Sequence, residues 1–230
     1  MTSPLTSVAL FHLGPVPITA GVMATWVIMA VLVIGGILVT RRLSLVPSAS
    51  QAAFELVIDA VDTQIRDTMR AEPAPYRAFV GTLFVFIFVA NWSSLVPGIE
   101  PPTANLETDA ALALLVFLAV IWFGVRAGGV RGYLVTFALP NPIMIPLNFV
   151  ESLTRTFSLL VRLFGNVMSG VFVIGIILSL AGLLVPIPLM ALDLLTGAIQ
   201  AYIFTVLSMV FIASAVSEDD APKPNERQSP

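Results

Sequence analysis

The chain has 230 residues, of which 57% are hydrophobic and only 11% charged, and its mean hydropathy is +0.97. A soluble domain carries about 25% charged residues, so the balance excludes one and points to a protein built inside a bilayer, with no nucleic-acid partner. The net charge of −3 reports topology before partners, and the absence of cysteine excludes a disulfide framework, a thiol nucleophile and a thiolate metal site.

Residues 1–18 contain no lysine or arginine, so they lack the basic start of a secretory signal and read as a short outer segment. A first span from about Thr19 to Val39 is uncharged and stops at Arg41 and Arg42, a pair that marks the cytoplasmic face. The next stretch is too polar to cross. Its apolar Phe54, Ile58, Val61, Ile65 and Met69 recur at helical spacing, with Ser48 and Gln51 as a capping box and Pro73 as a stop. That predicts an amphipathic helix on the cytoplasmic interface. A second span, about Arg77 to Val96, ends at Pro97 and Gly98 and leads into an outer loop with acids and no bases. A third, about Ala110 to Val125, returns to Arg126 and Arg131 on the cytoplasmic side. Two longer helices follow, about Pro142 to Leu184 and Pro188 to Val216. At about 1.5 Å per residue each exceeds the ~30 Å hydrocarbon core, so both must tilt, kink or lie partly in plane. The fold class is therefore an all-α membrane protein with about five crossing helices at roughly 20 residues each plus one interfacial helix. Residues 19–217 form a single transmembrane domain, and 218–230 read as a polar, disordered cytoplasmic tail.

On the fourth crossing segment Glu151, Arg155, Ser158, Arg162, Asn166 and Ser169 fall at steps of three and four, a single face in an otherwise apolar helix. A lone charge at the helix centre costs about 2.5 to 3.5 kcal/mol on insertion scales. Arg162 must therefore be compensated, by pairing with an internal acid, by reaching an interface, or by a partner's carboxylate. Glu151 is ~16 Å away along the helix axis and is better placed to pair with Arg155, one turn from it. The last helix carries a second polar face, Asp193, Thr196 and Gln200. Asp193 lies near the outer hairpin, where it also suits a helix start, and Gln200 needs a hydrogen-bond partner in its apolar helix. One carboxylate stands toward each side of the membrane with the arginine between. That suggests two dead-end aqueous paths, the outer lined by Asp193 and the inner by Glu151 and Ser158. A guanidinium does not deprotonate, so Arg162 would wall one path from the other and attract an acid carried by another chain. Gly165, Gly170 and Gly175 read as close-packing positions.

The segment "LVRLFGNVMSG" resembles the signature of subunit a of F-type ATP synthases, and "PPTANLETDAALAL" and "IQAYIFTVLSMVFIA" are similar to two further stretches of that family. The resemblance covers most of the chain from Phe79 to Ser217. It implies that Arg162 is the essential arginine, that Asn166 and Gln200 are its polar neighbours, and that Asn91 stands near the outer half-channel, unless Asn91 serves only to join helices. It further implies a non-catalytic, ion-translocating stator subunit in the inner membrane of a bacterium, with its N-terminus outside and its C-terminus in the cytoplasm. The implied partners are a ring of c subunits, b-type subunits of the peripheral stalk, the rest of the complex and the lipid bilayer, with no cofactor or metal. Many members of the family have glutamate where this chain has Val171 and histidine where it has Asp193. The carboxylate has changed helices, so Asp193 is expected to carry the outer role alone. Thr156 and Ser94 also depart from the pattern. A secondary transporter with an anionic-solute site at Arg162 is the alternative, although the two similar halves common in that class are missing.

Overall fold

In a computed structural model, residues 9–13, 16–41, 49–95, 101–138, 144–181, 185 and 187–217 are described. Six helices carry the architecture: α1 (Ala20–Thr40), α2 (Ala49–Met69), α3 (Arg77–Trp92), α4 (Leu106–Ala138), α5 (Met144–Ala181) and α6 (Ile187–Ser217). All but α2 are long and apolar enough to cross a membrane. The N-terminal segment forms a small antiparallel hairpin, β1 (Ala9–Leu13) and β2 (Val16–Thr19), which runs straight into α1. The expected capping residue Ser48 and the tail 218–230 lie outside the described residues.

Packing follows the apolar spacing of each helix. Around α6, whose Ala201 and Phe204 are fully buried, α3 contributes Leu83 and Ile87, α4 contributes Leu112, Ala113 and Val116, and α5 contributes Leu159, Leu163 and Val167. A second cluster joins Val61, Ile65 and Met69 of α2 to Val80 of α3 and to Met209 and Ile212 of α6. The predicted apolar stripe of α2 thus divides. Its second half is buried in the bundle, whereas Phe54 and Ile58 remain exposed with Leu56 and Val57, as suits a helix lying at a headgroup layer. Arg77, the first residue of α3, ties α2 down by donating from Nε to Asp62 Oδ1 at 2.6 Å and from Nη2 to Asp62 Oδ2. This forked contact holds the Asp62 carboxyl below its ordinary value of 3.8, with the Arg77 hydrogen bond as the main cause and partial burial opposing it.

Two departures from the expected boundaries have local causes. The third crossing helix starts at Leu106, directly after a 3₁₀ turn at Pro102–Ala104, and extends past Arg126 and Arg131 to Ala138. Within it Gly129 takes φ 71°, a left-handed conformation that suits glycine and breaks the helix. Beyond that break the Tyr133 ring folds back onto Gly124, where an added Cβ would come within 2.7 Å of the ring.

Candidate functional site

Two cavities lie at opposite ends of α5. The inner one, about 100 Å³, is lined by Glu151, Ser152 and Arg155 of α5, by Tyr133 of α4 and by Ser214 of α6, among others. Here Arg155 Nη2 donates to Glu151 Oε1, Nη1 reaches Ser214 Oγ at 3.2 Å, and the guanidinium lies 5.4 Å from the centre of the Phe211 ring. The expected Glu151–Arg155 pair is therefore present, and it is anchored to α6 by both a polar and an aromatic contact.

The outer cavity, about 180 Å³, is lined by Asp193, Met190 and Leu194 of α6, by Val171, Ile174 and Gly175 of α5, and by Ser94, Leu95 and Pro101 from the connection between α3 and α4. Val171 and Asp193 border the same space. Asp193 packs so closely on Gly170 that an added Cβ would stand 2.8 Å from its Cγ. Gly170 thus keeps room for the acid. Beside Gly165 and Gly175 nothing among the described residues lies within 4 Å of where their Cβ atoms would be.

Arg162 lines neither cavity. It is exposed on the outer face of α5 with Phe157 and Val161, and among the described residues no hydrogen bond or ion pair reaches it. By helix rise it stands about 16 Å from Glu151 and about 14 Å from Val171. Gly165, one turn away, leaves open space beside it. Ser158 is exposed and Asn166 half-buried on the same helix, and the Ser158 side chain does not line the inner cavity to which its position had assigned it.

Asn91 is buried, donates from Nδ2 to the Gly197 carbonyl at 2.8 Å, and accepts at Oδ1 from Thr103 at 2.7 Å. It joins α3, α6 and the 3₁₀ turn at Pro102–Ala104, and it does not line the outer cavity. Gln200 is also buried, and its Nε2 has no hydrogen-bond partner among the described residues. Sequence reasoning passed over Asp109, which it grouped with the outer-loop acids. The spacing of Asp109, Leu112, Ala113 and Val116 could have revealed a carboxylate on the buried face of α4.

Five apolar helices, with two separate cavities toward opposite ends of α5 and between them an arginine that no described residue pairs, define a polytopic α-helical membrane protein. A family model described as ATP synthase A chain matches residues 22–213, and the chain belongs to this family. It is similar to ATP synthase subunit a 2 of Bradyrhizobium sp., with 56% identity over 94% of this chain and 96% of the relative. The protein of the same name from Acaryochloris marina shares 47% identity over 90% of this chain and 89% of its own length. ATP synthase subunit a of Albidiferax ferrireducens shares 43% over 93% and 94%.

Proposed function

We propose that this chain is the ion-translocating stator subunit of a rotary ATP synthase. It passes ions through two offset half-channels to and from the carboxylates of a rotating c-ring. Arg162 carries the reading: a fixed positive charge at mid-helix, on an exposed face, with no acid paired to it among the described residues. A passing rotor carboxylate is the partner that offsets its cost, and its attraction makes that acid release its ion. The cavity holding Asp193 supports the outer path, and the cavity holding Glu151 supports the inner one. Asn166 stands near Arg162 on α5, Gln200 and Asn91 belong to the outer half, and Ser158 lies between Glu151 and Arg162. Nucleotide chemistry belongs to other subunits, and b-type stalk subunits hold this one against the ring. Arg41, Arg42, Arg126 and Arg131 support a topology in a bacterial inner membrane with the N-terminus outside and the C-terminus in the cytoplasm. An outward-facing Arg162 does not favour the solute-transporter alternative, which needs that side chain inside an enclosed site.

The deciding experiment is Arg162→Ala in the complete, reconstituted ATP synthase, assayed for ATP-driven ion pumping. Coupled transport is expected to disappear while the complex still assembles. Pumping at the wild-type rate overturns the reading.

A further inference from the structure

Asp109 belongs to neither cavity, and its residue has no solvent exposure. Both carboxylate oxygens are buried without a hydrogen-bond partner among the described residues. An acid in the first turn of a helix is favoured by the dipole, but such an acid ordinarily caps backbone N–H groups or meets water. Asp109 does neither. Its own N–H donates to Asn105 O at 3.3 Å, so the residue is already inside the first turn.

The neighbouring layers fix its level in the bundle. Leu112, Ala113 and Val116, the next turns of α4, pack with Val167 of α5 and Ala201 of α6. One turn outward from those two partners lie Gly170, which carries Asp193 against it, and Gly197, whose carbonyl takes the Asn91 amide. Thr103 closes this level and is itself fully buried. Gln200, whose Nε2 has no partner among the described residues, lies at the inner border of the same level. An ionisable side chain placed inside a membrane bundle marks an ion path more often than a structural contact.

We propose that Asp109 is a second proton-binding acid of the outer half of the bundle, exchanging protons between outer water and Asp193. In each passage its carboxylate takes up a proton from water, becomes neutral, and returns that proton to the Asp193 carboxylate, so Asp109 ends as it began. Among the described residues around it, α1, α3, α5 and the Pro102–Ala104 turn bring no titratable side chain to this level. The α6 helix brings Asp193, and α4 adds only the exposed Glu107.

This inference rests on the stator reading, and the test separates the two. ATP-driven proton uptake by the reconstituted complete enzyme is measured across a range of pH set inside the vesicles, the side that the outer half of the bundle faces in this orientation, for wild type, Asp109→Asn, Asp109→Glu and Arg162→Ala. The expected result for Asp109→Asn is a rate at least about tenfold lower and loss of the pH dependence that this acid contributes, with Asp109→Glu restoring rate on a displaced profile. Superimposable rates and profiles for wild type and Asp109→Asn overturn the proposal, as does uptake that follows sodium rather than protons. Should Asp109→Asn not assemble, an undisplaced profile for Asp109→Glu overturns it. Continued pumping by Arg162→Ala sinks the stator reading instead.

Discussion

Among the described residues each cavity is lined by one carboxylate, and the two are held differently. Glu151 is exposed and paired with Arg155, which is itself held by Ser214 and Phe211. Asp193 is half-buried, is pressed against Gly170, and forms no ion pair among the described residues. A carboxylate neutralised by a neighbour one turn away lines a path without having to bind the ion. A carboxylate without a counter-charge is available to bind one. On the proposed reading the inner cavity would serve as a vestibule, and the outer one would hold the acid that is loaded.

The sharpest way to break this comparison is to neutralise both acids separately. Asp193→Asn keeps the shape of the outer cavity and removes the one acid among the described residues that line it, so ATP-driven pumping is expected to fall by about 100-fold, within the range for loss of a positioned proton-transfer group. Glu151→Gln is expected to cost no more than about fivefold, the most that an exposed pair of this kind ordinarily holds. If the order is reversed, the working carboxylate belongs to the inner cavity.

A smaller effect is expected at Asn91, which sits beside the outer cavity and acts through packing. Asn91→Ala leaves the Gly197 carbonyl and the Thr103 hydroxyl without their partner, and each unpaired buried group costs about 1–3 kcal/mol. The purified complex should therefore lose this chain at a lower temperature or detergent concentration. Pumping by complexes that remain assembled should fall less than for Asp193→Asn. Wild-type stability with collapsed pumping would move Asn91 from joining helices to the path itself.

Much of this arrangement is legible in the sequence because bilayers simplify the code. Five apolar runs give five crossing helices, and the polar stripes from Glu151 to Ser169 and from Asp193 to Gln200 stand out against them. What spacing conceals is contact between distant segments. Gly170 reads as one of three small residues, yet Asp193 alone makes it different from Gly165 and Gly175. Asp109 reads as a solvated loop acid because Glu100 and Glu107 precede it, and only the packing of α4 on α5 and α6 shows it enclosed. The stripe of α2 reads as continuous, but α3 and α6 reach only its second half.

The smallest expected effect lies away from both cavities, at the Asp62–Arg77 contact, and it tests whether charge pairing on the inner side serves attachment as well as lining. Because the folded-state Asp62 carboxyl is held below its ordinary value of 3.8, its stabilising contribution is present in full above that value and is lost as the pH falls through the lower, folded-state one. Asp62→Asn removes the group that titrates. The attachment of α2 to α3, followed by hydrogen exchange along 49–69, should therefore loosen on acidification in the wild type. In Asp62→Asn it should be loose already at neutral pH and change little further. Equal acid sensitivity in both proteins would mean that the apolar contacts of Val61, Ile65 and Met69 hold α2 without help from the ion pair.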